Sequence, residues 1–237
     1  MPAIYWVPLP RVAPPVKVEH LHAALSRWFD RGTSDAGGVD HRAQTKPYTI
    51  SPLSGEVDRF GVEVSVLTAE ARDRLTLCAG SGERVRLGER WTIPGRALLQ
   101  SSVSWGELAE GLPGCRWDLE FVTPGTFRTG NRSCGFPVPS SLLRSPAQCW
   151  NRFSSATKVE LSHEESGSVW VSDFDIESVP LAVKGLRVGG VMGRLRLRCD
   201  DASTAAKVGS LLRLAEYCGV GSYRTKGFGI VRVRSAT

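Results

Sequence analysis

The chain divides into short apolar or alternating runs and longer runs in which apolar residues recur every three to four positions. Residues 3–7 (Ala-Ile-Tyr-Trp-Val) predict a first strand, closed by Pro8 and Pro10. From Val18, apolar residues fall at Leu21, Ala24, Leu25, Trp28 and Phe29, one face of a helix. Residues 31–40 are rich in glycine and polar breakers and read as a loop. Tyr48 to Ser51 predicts a strand between Pro47 and Pro52, and residues 60–66 alternate like another. Thr68 suits the N-cap of a short helix carrying Ala71, Leu75 and Cys78. A further strand covers residues 90–93, with Ala97 to Leu99 beyond it.

The second half repeats the order. Residues 117–122 predict a strand, and residues 140–153 carry a helical pattern (Leu142, Leu143, Trp150, Phe153) interrupted by Pro146. Residues 169–176 and 193–199 predict two more strands. The latter sets Leu195 and Leu197 on one face against Arg194, Arg196 and Arg198 on the other. Asp200, Asp201 or Ser203 can cap the helix that follows, which is apolar at Val208, Leu211, Leu212, Ala215 and Cys218. Residues 230–234 supply a last alternating strand. The order β-α-β-β-α-β twice over predicts an α+β protein of two tandem ferredoxin-like (RRM-like, βαββαβ) domains, residues 1–113 and 114–237, meeting near Gly111 to Gly114.

Composition narrows the picture. The 237 residues are 41% hydrophobic, enough for two small cores, and the formal net charge of +6 with a pI near 9.2 is compatible with a nucleic-acid partner. Six cysteines include no Cys-x-x-Cys pair and no Cys/His spacing suited to zinc, so reduced thiols and no metal or other cofactor are expected. With no signal peptide and no apolar run of membrane-spanning length, the reading is a soluble cytoplasmic protein without a membrane partner.

Candidate chemistry is sparse. Among four histidines, His20 and His22 sit two apart in the first turns of the first helix, point in different directions, and read as structural or surface groups. His163 lies in a polar acidic loop and reads as solvated. His41 follows a Gly-Gly loop and precedes Arg42 and Lys46; adjacent cations favour its neutral, proton-accepting form. Near the C-terminus, residues 219–229 (Gly-Val-Gly-Ser-Tyr-Arg-Thr-Lys-Gly-Phe-Gly) join a helix to a strand. They offer Ser222, Arg224, Thr225 and Lys226 to a polyanion between paired glycines. The order helix-loop-strand is not that of a nucleotide P-loop; a helix C-cap leading into a glycine-softened strand is the plainer alternative.

This last loop, Gly-x-Gly followed by Thr-x-Gly-Phe-Gly, resembles the terminal glycine-rich loop of the RAMP superfamily, and within it the CRISPR repeat-processing endoribonucleases. Other patches resemble the same family in the same order. Leu21-His-Ala-Ala-Leu25 is similar to its first helix. Asp-His-Arg with Lys-Pro-Tyr-Thr-Ile-Ser-Pro-Leu over residues 40–53 is similar to its catalytic segment. Residues 123–128, 136–139 and Trp150-Asn151 are similar to its central part.

The resemblance implies metal-independent cleavage of CRISPR repeat RNA in the precursor transcript, with precursor and mature CRISPR RNA as partners, by attack of a ribose 2′-hydroxyl on the adjacent phosphorus that leaves a 2′,3′-cyclic phosphate and a 5′-hydroxyl. His41 would be general base or acid and Lys46 would stabilise the phosphorane. Some relatives complete a triad with a tyrosine at the end of the first helix; residues 26–29 lack it, and Arg27 is the candidate substitute. Candidate RNA contacts are Arg42, Arg128, Arg132, Ser222, Arg224, Thr225 and Lys226, with Gly221 and Gly227 for close backbone approach. Lys184 and Arg187 are added from a basic hairpin expected over residues 181–190. Other effector-complex subunits and a second copy of the chain are the further partners the family suggests. A non-catalytic RAMP subunit that binds CRISPR RNA shares the fold and loop but does not need His41. A tandem ferredoxin-like protein binding a small molecule would show no salt-dependent RNA affinity.

Overall fold

The computed structural model describes residues 1–30, 43–56, 59–183 and 185–236. It divides into two compact units, one of Met1–Val103 with Thr225–Gly227, the other of Ser104–Arg224 with Phe228–Thr237.

The first unit runs β1 (Ala3–Pro8), α1 (Val18–Asp30), β2 (Tyr48–Ile50), β3 (Gly61–Val66), α2 (Ala69–Cys78), β4 (Val85–Leu87), β5 (Arg90–Thr92) and β6 (Leu98–Ser102). Its sheet has the order β2-β3-β1-β6, all neighbours antiparallel, which is the ferredoxin-like arrangement. The inward residues of the strands (Tyr5, Val7, Ile50, Val62, Val64, Val66) bury against Leu21, Leu25 and Phe29 of α1 and Ala71 and Leu75 of α2. Thr68 caps α2 as expected, its hydroxyl accepting from the Ala71 N–H. The Arg74 guanidinium donates to the Phe29 carbonyl in the last turn of α1, satisfying an acceptor the helix leaves open. Arg90, Trp91 and Thr92 form the strand expected over residues 90–93, but outside the main sheet. They pair with β4 in a separate hairpin, and the sheet is completed by β6, an edge strand exposed along its whole length and therefore without an alternating pattern.

The second unit opens with α3 (Trp105–Glu110), started by a capping box between Ser104 and Glu107. There follow β7 (Arg116–Gly125), β8 (Phe127–Thr129), β9 (Arg132–Cys134), α4 (Pro139–Phe153), α5 (His163–Gly167), β10 (Val169–Val183), β11 (Leu186–Cys199), α6 (Ala202–Cys218) and β12 (Val231–Ser235). The sheet order β10-β11-β7-β12 repeats the ferredoxin-like topology, with α4 and α6 as its helices. Helix α4 continues through Pro146, which is buried; packing outweighs a missing N–H bond that costs about 3 kcal/mol in an exposed helix. His163 begins α5, a capped turn rather than the loop expected there. The β10–β11 hairpin extends to the pair Val183–Leu186, well past residue 176. Pro180 is tolerated because β10 is the edge of the sheet. Asp201 is the cap of α6, its carboxylate accepting from the Thr204 N–H at 2.7 Å.

On the polar face of this sheet, charges alternate from strand to strand. One row reads Asp175, Arg194, Glu120, Arg232, and the next Asp173, Arg196, Asp118, Arg234. Arg196 donates to both carboxylate oxygens of Asp118, at 2.7 and 3.1 Å. Within these two rows four acids stand against four arginines, and the next row adds Arg198 beside Arg116.

Candidate active site

Helix α1 presents its polar side chains on two opposite flanks of its buried stripe. His22 and Asp30 lie on one flank, Arg27 and His20 on the other; at 100° per residue, Arg27 is rotated about 140° from His22. The half-buried His22 ring approaches the backbone of Thr225, Nδ1 to carbonyl oxygen at 2.9 Å. A carbonyl only accepts, so Nδ1 carries the proton and a neutral ring keeps its free lone pair on Nε2. Burial lowers the pKa of His22 below the ordinary imidazole value, and the charges of Lys226 and Lys46 push the same way. The Thr225 carbonyl and Asp30 oppose them. The result is an imidazole biased toward its proton-accepting form.

Lys46, expected beside the reacting phosphate, is held by Asp30: Nζ lies 3.3 Å from Oδ1, with side chains only 11% and 15% exposed. Beneath this pair the Tyr48 ring stacks on Phe29, centroids 4.0 Å apart. The Tyr48 hydroxyl is buried with no hydrogen-bond partner among the described residues, and burial first, then Asp30, raises its pKa. Lys46, Asp30, His22, Thr225 and Lys226 thus form one cluster of cations, carboxylate and imidazole in the first unit. His22 is the member that sequence reasoning assigns to structure. Arg27 is brought not here but to a groove on the far flank of α1. His41 and Arg42 lie outside the described residues, as does Lys184.

The glycine-rich loop is more internally committed than its sequence suggests. Arg224 turns inward, its Nη1 donating to the Cys218 carbonyl at 2.8 Å and lying 3.1 Å from the Cys149 sulfur. A hydrogen bond from the Cys218 thiol and the Arg224 charge hold the Cys149 thiol below its usual range despite burial. None of the six cysteines is in a disulfide. At Gly221, φ is +75° and a side chain would strike the Thr126 carbonyl. At Gly227, φ is +84° and a Cβ would lie 2.7 Å from Pro52 Cδ and 2.8 Å from the Ile50 oxygen. Both glycines therefore admit the protein's own backbone. The Ser222 N–H donates to the Thr126 carbonyl at 2.8 Å.

Of the other candidate contacts, Arg128 is exposed on β8, within 6.0 Å of the Tyr223 ring centroid and 3.4 Å from its hydroxyl. Arg132 is exposed on β9, and Arg187 on the β10–β11 hairpin. Among the described residues, no three His, Cys, Asp or Glu side chains come together as a metal site, and no helix is long and apolar enough to cross a membrane.

Residues 119–231 match the sequence model of the CRISPR-associated endoribonuclease Cas6 family. No curated protein sequence matches the chain. Among solved structures, it is similar to a Cas6 product complex, with a TM-score of 0.80 at 19% identity and all of both chains covered. A second Cas6 product complex superposes with a TM-score of 0.77 at 21% identity, covering 98% of this chain and 100% of the other. Cas6 of Thermus thermophilus gives 0.69 at 23% identity over 98% of each chain. Residues 119–231 thus match the Cas6 family in sequence, and over its whole length the chain shares the fold of solved Cas6 structures.

Proposed function

We propose that the chain is an endoribonuclease that cuts CRISPR repeat RNA within a precursor transcript to release guide RNAs. The observation that carries this reading is the His22 arrangement, a half-buried imidazole with its tautomer fixed by the Thr225 carbonyl beside Lys46 and Lys226. A histidine poised to accept a proton next to two ammonium groups suits internal transesterification of RNA. The family match over residues 119–231 points to the substrate.

In the proposed reaction one histidine takes the proton from a ribose 2′-hydroxyl, and the 2′-oxygen attacks the adjacent phosphorus. As the bond from phosphorus to the 5′-oxygen breaks, a second acid returns a proton to that oxygen, leaving a 2′,3′-cyclic phosphate and a 5′-hydroxyl. His22 Nε2 and His41 share the two proton transfers, while Lys46 and Lys226 stabilise charge on the phosphorane. His22 thereby takes the place that the sequence offers to Arg27. The scheme uses no metal and no cofactor.

Arg128, Arg132, Arg187, Ser222 and Lys226, with Arg42 and Lys184, are the proposed RNA contacts. Gly221, Thr225 and Gly227 shape the loop that presents them, and Arg224 anchors it. The first unit would carry the chemistry and the second most of the binding surface.

The test is cleavage of labelled repeat RNA in excess EDTA beside a copy with a 2′-deoxy scissile nucleotide. Cutting of the first at one site, with the second bound but intact, is expected. Tight binding of both without cutting would make the chain a carrier of RNA instead.

A further inference from the structure

The far flank of α1 and the β4–β5 hairpin enclose a groove of about 540 Å³, within the roughly 300–1,000 Å³ typical of small-ligand sites. His20, Arg27, Arg84 and Arg86 line it against a single carboxylate, Glu83. At its wall stands Trp91, a large aromatic residue that is 50% exposed, with the Arg84 guanidinium 5.3 Å from its ring centroid. Arg86 is oriented by donation from Nε to the Gly88 carbonyl at 2.7 Å, and the His20 ring abuts Gly88. None of these groups belongs to the His22 cluster. The hairpin is an addition to the βαββαβ plan, and its aromatic side chain is not used in the core.

Exposed tryptophan, stacked arginine and an excess of cations together form the chemistry that holds unpaired nucleotides, the ring stacking on a base while arginines take the flanking phosphates. We propose that this groove binds a single-stranded stretch of the RNA outside the segment being cut, with Trp91 as the base platform and Arg27, Arg84 and Arg86 as phosphate contacts. The proposal rests on the RNA-cleaving reading. It adds to that reading a second RNA-binding surface on the first unit, independent of the reacting centre.

The experiment uses the full chain with two probes, labelled repeat RNA bearing its unpaired flanks and a 12-nucleotide oligouridylate. For each, affinity is measured for wild type, Trp91→Ala, Trp91→Phe and Arg84→Ala, with the single-turnover cleavage rate at saturating protein measured for the repeat. Trp91→Ala is expected to weaken binding of both probes roughly tenfold. Trp91→Phe should recover most of the loss, Arg84→Ala should lower the salt dependence, and the saturated cleavage rate should stay at the wild-type value. Unchanged affinity of Trp91→Ala and Arg84→Ala for both probes, in a protein that still cuts the repeat, overturns the groove and leaves the cleavage reading standing. A wild type that neither binds nor cuts RNA overturns both.

Discussion

His22 Nδ1 and the Thr225 carbonyl oxygen, 203 residues apart in sequence, are 2.9 Å apart in space. That contact decides which ring nitrogen is a base. With Nδ1–H donating to the carbonyl, Nε2 carries the lone pair, and burial together with Lys226 and Lys46 disfavours the imidazolium. In the proposed reaction the glycine-rich loop thereby sets the His22 tautomer through a backbone atom, which no substitution of the Thr225 side chain removes.

His22→Ala should lower the single-turnover cleavage rate by roughly 10²–10⁴ while RNA affinity stays within a few-fold. In the wild type, the acid limb of the pH–rate profile should fall below the free imidazole value of about 6.5, because a lowered pKa keeps the base unprotonated to lower pH. The sign for folding follows from the same shift. Between the lowered native value and about 6.5 the unfolded chain binds more protons, so stability declines as pH drops through that window, and His22→Asn should remove that part of the decline. A profile limb above 6.5, or an unaffected rate in His22→Ala, would remove His22 from the mechanism.

His41→Ala should abolish cleavage and leave RNA affinity within a few-fold, because the role proposed for it is proton transfer rather than binding. Comparing the pH–rate profiles of the His22 and His41 variants assigns base and acid, since each should lose a different limb of a bell-shaped curve. Full cleavage by His41→Ala would leave His22 to find another partner.

Lys46 and Asp30 form a nearly buried ion pair, so the two contributions of the lysine can be separated. Lys46→Ala should cost up to about 3 kcal/mol of stability by breaking a nearly buried ion pair, and roughly 10²–10³ in cleavage rate. Lys46→Met with Asp30→Asn should recover most of the stability, because both charges of the pair are then removed together, but none of the rate. Thermal unfolding and single-turnover assays on the same preparations give both numbers. Recovery of cleavage by the double variant would show that Lys46 only holds the fold.

The architecture was legible because both halves keep the periods of two and near four wherever a face is buried, from Leu21 to Phe29 and again from Leu195 to Leu197. Elements that bury little were harder to read. Strand β6 is exposed throughout and shows no alternation, so only its apolar start at Leu98 and Leu99 stood out, beyond the aromatic and β-branched Arg90–Thr92 strand. Helices α3 and α5 are marked by capping-box spacing at Ser104/Glu107 and Ser162/Glu165 rather than by apolar periodicity. The continuation of α4 through Pro146 reflects tertiary packing, which local propensity does not contain. His22 could not be recognised from its helix alone, because its significance comes from Thr225. The second-face position of Arg27, by contrast, follows from helical geometry and was available in the sequence.

Arg224 and Lys226, two residues apart in the same loop, should respond to substitution in opposite ways. Arg224 donates to the Cys218 carbonyl and abuts the Cys149 sulfur, in contact with the buried ends of α4 and α6. Arg224→Ala should therefore lower stability by about 2–3 kcal/mol, as an acceptor loses its donor and packed methylenes are removed. The slope of RNA affinity against salt should change little in that variant at temperatures where it stays folded. Lys226 bears electrostatically on His22 and belongs to the proposed phosphate contacts. Lys226→Ala should reduce the salt slope by about one. Measuring melting temperature and RNA affinity at several salt concentrations for both variants decides the matter. If Arg224→Ala flattens the salt slope without losing stability, its guanidinium contacts phosphate after all, and the inward anchor on Cys218 and Cys149 does not hold it in solution.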